Sequence, residues 1–455
     1  MEDSSKKSRV KVQSALTAVS SKPVEPGQGY KLSAQDHAIG HHSFHLIFYY
    51  RVSPFRSFDL DPVRISLSET LSLYPSATGR LVRDGDGNWE VKWNDAGVRV
   101  IQAKVGASID EWLQSADGFE ETDLTVWEDI PQDPYIWSPF RIQVSEFDGG
   151  GVAMGLSCTH LHADPTTAAL LFQSWSQVHR GIPIRHPPRF PGSAPAAGSP
   201  TRPGSPSSES RSFSSSTPLS SSTFKFSDQT MARLVSEVRE SCPDATPFDV
   251  LAALFWTRIA RSKDHGNGIG DPRIAKIAVD MRGAMSEKLP LGFFSNAVRF
   301  SLIEAPGGSE DDHELWRMAK LVHDGVLGIQ EGEIGSGRED GGARFEPSVG
   351  TYGPELTIVS MEHMAGGEDG VVGGRWSEMH EAMFVDGERP VHVSVRVGNA
   401  KGEGLIMVVP EKGLGRAVTV ALPEEEEVAK LHEDEEVLKL EPTVILSGGR
   451  NYSRS

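Results

Sequence analysis

Cysteine is almost missing from this chain: Cys158 and Cys242 are the two in 455 residues. A disulfide framework is therefore not expected, and a reducing compartment fits. No run approaches the ~18 apolar residues needed to span a bilayer. The opening MEDSSKKSRVKVQSALTAV has basic residues but no apolar core of signal-peptide length. Positive charge is in deficit, with 45 Lys and Arg against 63 Asp and Glu, for a net charge of −18. That balance argues against a nucleic-acid partner and against a surface held by anionic lipid. Much of the acidity lies late, at Glu424 to Glu427 and Glu433 to Glu436, and reads as a solvated face. The G-x-S-x-G elbow of serine hydrolases is missing. The chain is expected to be cytoplasmic and to lack a transmembrane segment.

Prolines, glycines and serines are not scarce, but they are concentrated. They dominate 185–223, where SSESRSFSSSTPLSSS has almost nothing to bury. A chain of 455 residues exceeds what one hydrophobic core usually supports. Strand and helix patterns alternate on both sides of the Pro/Ser-rich stretch. Two α/β domains are expected, 1–184 and 224–455, joined by 185–223 as a flexible crossover. Glycine-rich loops are expected at 332–342 and 366–374.

The most informative stretch is GGGVAMGLSCTHLHADPTTAALLFQ, residues 149–173. Val152, Met154, Leu156 and Cys158 alternate with Ala153, Gly155, Ser157 and Thr159, the pattern of a strand with one buried face. His160 shares the parity of the apolar set and so points toward the core. Asp164 before Pro165 suits an N-cap followed by proline at the first helical position. An inward histidine on a rigid strand end is well placed to act as a base, although such a histidine is more often structural. His162 is expected in a loop, exposed or behind His160. His160, His162 and Asp164 lie close enough to suggest a metal site, but Asp164 is wanted as the cap. No cluster elsewhere completes a zinc shell, so no metal is expected.

His160-Leu161-His162-Ala163-Asp164 is an H-x-x-x-D motif, and it does not stand alone. Leu32-Ser33 to Asp36 resembles an LSxxD opening, and Tyr74 to Leu81 a YPxAGRL element with Thr78 in place of alanine. Val279-Asp280-Met281-Arg282, followed by Leu289 to Ala297, resembles VDxR…LPxGYFGNA. In order and separation these motifs resemble those of the plant BAHD acyltransferases. The resemblance implies two chloramphenicol-acetyltransferase-like domains with mixed sheets, joined by a long crossover, with an active channel between them. It implies acyl-CoA as co-substrate, a small hydroxyl or amine acceptor, no further cofactor, and a monomer. His160 would be the general base, and Asp164 would turn away to pair with Arg282.

Departures from the family pattern are specific. The DFGWG hallmark that should precede Arg389-Pro390 reads Phe384-Val385-Asp386-Gly387-Glu388. Val359 and Met361 stand where related enzymes place Thr and Trp to support the tetrahedral intermediate, and Pro165 replaces a usual glycine. The altered hallmark and the strand VGNAKGEGLIMVVP resemble the ECERIFERUM/Glossy-type branch. That branch implies an accessory role in very-long-chain fatty acid elongation for cuticular wax. A condensing enzyme at the endoplasmic reticulum would then be the partner.

Overall fold

The computed structural model describes residues 8–25, 27–55, 61–191, 219–263, 271–283, 289–306, 314–331, 350–366 and 374–449. Only the two ends of the expected crossover 185–223 fall within them. The loop expected at 332–342 and most of that at 366–374 lie outside the described residues. In chain order come β1 (Val10–Ala18), β2 (Gly29–Lys31), α1 (Ala34–Ile39), β3 (Ser43–Tyr50), α2 (Asp61–Leu71), β4 (Arg80–Arg83), β5 (Trp89–Lys92) and β6 (Val98–Val105). Helices α3 (Ile109–Ser115) and α4 (Gly118–Thr122) precede β7 (Phe140–Phe147), β8 (Val152–Thr159) and α5 (Pro165–His179). Next are β9 (Ser220–Phe226), α6 (Asp228–Arg239), α7 (Pro247–Lys263), β10 (Ile274–Asp280), β11 (Val298–Glu304), α8 (Leu315–Glu331) and β12 (Leu356–Ser360). The chain ends with β13 (His392–Gly398), β14 (Leu405–Pro410), β15 (Arg416–Leu422), α9 (Glu425–Glu433), α10 (Glu435–Leu438) and β16 (Thr443–Ile445).

Two mixed sheets carry the architecture. One runs β1-β6-β7-β8-β3-β13, the other β11-β10-β12-β14-β15-β9-β16, with a small β2-β5-β4 sheet beside the first. The exchange of β13 ties the halves together. It belongs to the second half by sequence, yet it pairs antiparallel with β3, His392 opposite Tyr49 and Gly398 opposite Ser43. Arg396 on β13 donates to Glu121 at 2.8 Å, and the Tyr49 hydroxyl donates to the other oxygen of the same buried carboxylate at 2.8 Å. Side chains of the two sheets, among them Phe44, Leu46, Val359 and Met407, form one continuous apolar cluster, which Phe294 of the 289–297 segment joins. Among the described residues, no helix is long and apolar enough to cross a membrane.

Local chemistry explains most helix ends. Ser33 and Asp36 form a capping box at α1, and Ser227 caps α6 through Thr230. Thr246 and Asp249 exchange backbone bonds at the start of α7. Helix α8 was not expected, although Met318, Val322 and Ile329 are buried on it at helical spacing.

Strand β8 differs from expectation. All eight of its residues are buried, not one face of them. The Ala153 and Gly155 side is covered by Trp112 and Leu113 of α3 and by Leu124. A side chain at Gly155 would meet the Leu124 carbonyl oxygen at 2.2 Å. Gly155→Ala is therefore expected to destabilise the fold by about 1–3 kcal/mol through overpacking of rigid backbone. An unchanged urea midpoint for this variant would contradict the close approach.

Candidate active site

The candidate site begins where β8 ends. Strand β3 aligns Ser43 with Thr159, and the His160 amide donates to the His42 carbonyl at 2.9 Å. This extends the ladder by one residue and turns the His160 ring inward, where it is fully buried against Phe44. Asn296 then decides which nitrogen carries the proton. Its Nδ2 donates to the His160 carbonyl at 2.8 Å and to Asp36 Oδ1 at 2.7 Å. A carbonyl oxygen can only accept, so the Asn296 amide has one orientation, and its Oδ1 faces His160 Nδ1 at 3.0 Å. Nδ1 is thus the protonated nitrogen and Nε2 carries the lone pair. The Tyr352 hydroxyl lies 2.9 Å from Nε2 and donates to it. Burial pushes the His160 pKa below its ordinary value, against the opposing pull of Asp164 and the Asn296 bond. At neutral pH the ring is uncharged, and its Nε2 lone pair faces the Tyr352 hydroxyl.

Asp164 plays a different part. Its Oδ1 accepts from the Thr167 amide at 2.9 Å, capping α5. Its Oδ2 accepts from Arg282 Nη1 at 2.8 Å and from the Ala297 amide at 2.9 Å. Arg282 is fully buried and also donates to Asp280, Thr167, and the carbonyls of Phe293 and Ser295. Burial alone would lower the Arg282 pKa, but Asp164 and Asp280 outweigh it and hold it above the ordinary value. The ion pair therefore fastens the histidine loop of the first half to the motif segment of the second. Gly292 in that segment lies so close to the chain entering the crossover that a Cβ would meet the Pro187 carbonyl at 2.3 Å.

His162 lies in the turn between β8 and α5, as expected, but it is not exposed. It is fully buried, edge-on to both Phe140 and Phe294, with Nε2 2.8 Å from the Ser76 hydroxyl. Burial holds its pKa at about 3, helped by nearby Arg80. These aromatic contacts come from β7 and the 289–297 segment, which the local pattern could not reveal.

The altered hallmark lies away from His160. Phe384 is buried against Tyr50, Phe55, Trp175 and His179. Tyr50 is at the end of β3 opposite Ser43, so seven strand steps separate it from the His160 end, roughly 23 Å. Val385 and Glu388 close a tight turn around Asp386 and Gly387, and Asp386 takes an ion pair from Arg180 at 2.7 Å. This segment closes the far end of α5, away from His160. Val359 on β12 and Met361 just beyond it are also buried.

Three residues at the site had no role assigned from sequence. Asp36 and Asn296 stood inside quoted motifs, but no spacing rule placed them on one histidine. Tyr352 carried no signal, since 192 residues separate it from His160. Between the sheets, where a channel was expected, a cavity of about 240 Å³ is lined by Val395, Val397, Leu405, Met407 and Ala421 among others. His160 is not among its lining residues. Among the described residues no His, Cys, Asp or Glu group is arranged to hold a metal.

A family model described as the Transferase family matches residues 9–438. Shikimate O-hydroxycinnamoyltransferase of Nicotiana tabacum is 24% identical over 416 residues, covering 85% of this chain and 90% of that protein. Protein ECERIFERUM 26 of Arabidopsis thaliana is 24% identical over 419 residues, covering 90% of this chain and 92% of that protein. The crystal structure of vinorine synthase shares the fold, with a TM-score of 0.65, 17% identity, and coverage of 95% of this chain and 98% of that one. A family match across nearly the whole chain, in a protein whose two mixed sheets meet at the HxxxD strand end, shows that this chain belongs to the Transferase family, the BAHD acyl-CoA-dependent acyltransferases.

Proposed function

We propose that this chain transfers an acyl group from acyl-CoA to a hydroxyl or amine acceptor, with His160 as general base. The reading rests on the His160 tautomer: Nδ1–H is held by Asn296, and the lone pair is left on Nε2. That nitrogen would take the acceptor proton as the acceptor oxygen or nitrogen attacks the thioester carbonyl. The acyl group would pass directly to the acceptor, and the CoA thiolate would leave. Asp164 and Arg282 would hold the loop without touching the reacting atoms. His160→Ala is expected to lower turnover by about 10²–10⁴, the usual worth of a positioned base. The assay is ester or amide formation, followed by mass spectrometry, from acetyl-, coumaroyl- and palmitoyl-CoA against a panel of alcohols, phenols and amines. Undiminished transfer by His160→Ala would sink the assignment.

A second reading is favoured by Val359 and Met361, whose side chains offer no hydrogen-bond donor at the positions where the family resemblance would put one for a developing oxyanion. In it the chain keeps the fold but serves very-long-chain fatty acid elongation, binding a condensing enzyme at the endoplasmic reticulum. The likeness to ECERIFERUM 26 accords with that role. Coexpression with a plant condensing enzyme separates the two. Acyl-chain lengthening that survives His160→Ala, with no transfer by the wild type, supports the second reading and rejects the first.

A further inference from the structure

Tyr352 is the group nearest the free nitrogen of His160, and it is held by more contacts than a movable plug would need. Gly350 exchanges two hydrogen bonds with the Gln35 side chain, at 2.9 and 3.2 Å. Thr351 Oγ1 lies 3.0 Å from His42 Nε2. The buried Lys276 ammonium donates to the Thr351 carbonyl at 3.1 Å and to that of Gly353 at 2.6 Å, and so clamps the backbone on both sides of Tyr352. The phenol ring is packed edge-on against His42 and Phe300. Four consecutive residues are therefore anchored, and three of the anchors, Gln35, His42 and His160, belong to the first half of the chain.

We propose that Tyr352 is a catalytic residue, a proton relay standing between the acceptor and His160. This rests on the reading of His160 as the base. A phenolic hydroxyl donating to Nε2 still has lone pairs with which to accept from an incoming hydroxyl or amine. The acceptor proton passes to Tyr352 Oη while the Tyr352 proton passes to Nε2, and the acceptor atom bonds to the thioester carbonyl carbon. When the tetrahedral intermediate collapses, the C–S bond breaks. The proton then returns from His160 through Tyr352 to the CoA thiolate. No free phenolate is formed at any stage, and burial opposes one by raising the Tyr352 pKa.

The test compares wild type, Tyr352→Phe and His160→Ala in the transfer assay above, with proton inventories in mixtures of light and heavy water. Tyr352→Phe removes one hydroxyl and leaves the ring packing intact. Its kcat is expected to fall about 10²–10⁴ with the acyl-CoA KM unchanged. The wild-type inventory is expected to bow, because two protons move together, and that of residual Tyr352→Phe turnover to be linear. Transfer by Tyr352→Phe equal to or above the wild type, with His160→Ala inactive, overturns the relay and leaves the base standing. A linear wild-type inventory does the same. A wild type that transfers to no acceptor, with Tyr352→Phe equally inert, rejects the base reading and the relay with it.

Discussion

Arg282→Ala is expected to lower the unfolding free energy by about 3–5 kcal/mol, the cost of breaking a buried ion pair from one side. The guanidinium and the Asp164 carboxylate are both fully inaccessible, and Asp280 is nearly so. Removing the cation leaves two carboxylates buried together, with Thr167, Phe293 and Ser295 losing the same donor. Arg282→Lys is expected to recover only part of the loss, since one ammonium cannot reproduce a planar fork. Arg282→Met combined with Asp164→Asn and Asp280→Asn removes all three charges together. That triple variant is expected to be more stable than Arg282→Ala, because asparagine still caps a helix and no charge remains unpaired. Urea denaturation followed by tryptophan fluorescence reads all of these. The loss should extend to His160, because Ala297, which donates to Asp164, is the neighbour of Asn296, which orients the His160 ring. A stable Arg282→Ala with an unchanged His160 nitrogen spectrum would show that the pair fastens nothing.

The roles of Arg282 and Asp164 show which parts of this protein were legible in its sequence. The strand end at His160 and the cap at Asp164 could be read locally, because alternation and an Asp-Pro step act over a few residues. The caps at Ser227 and Thr246 rest on equally local bonds, within three residues of each helix start. The pairing of Asp164 with Arg282 lay in no spacing rule and came from the family resemblance. Relations between distant elements were not legible. The alternation in β13 says that it is a strand, but nothing in it says that it pairs with β3 and not with its own half. The same limit hid the burial of His162, whose apolar walls come from β7 and the 289–297 segment. It also hid the distance of Phe384 from His160, because a sequence register carries no direction along a strand. The site is assembled from Asp36, His160, Asn296 and Tyr352, which meet only because the two sheets do.

The burial that keeps His160 neutral is shared by other histidines, and together they should make the fold acid-labile. His42, His162, His380 and His392 are all nearly inaccessible. Burial holds the first three at about 3 and the fourth well below its ordinary value. Cations or other histidines oppose protonation further: His41 and His160 near His42, Arg80 near His162, Lys225 and Arg389 near His380, and Lys225 and His380 near His392. In the unfolded chain each titrates near 6.5, so below that pH the unfolded state binds protons that the folded state refuses. Stability is therefore full above about pH 7 and falls as the pH drops. At pH 5 each of the four is expected to have cost about 2 kcal/mol, or about 8 kcal/mol together, which rivals the whole stability of an ordinary domain. His323 works in the opposite direction, because its bond to Asp249 raises its pKa and favours the protonated folded form. One partly buried group cannot offset four. Asp280 and Glu378, held below their ordinary values, lose their contribution only as the pH falls into the carboxylate range, and so do not mask the histidine window. The melting temperature should fall steeply between pH 6.5 and 5. Because burial also holds His45 at about 3 and His432 at about 4, about six protons should be taken up on unfolding near pH 5 in calorimetry. His392→Phe should remove about one of those protons, since neither ring nitrogen of His392 has a hydrogen-bond partner to lose. A melting temperature that is flat across this range would mean that these rings protonate in place.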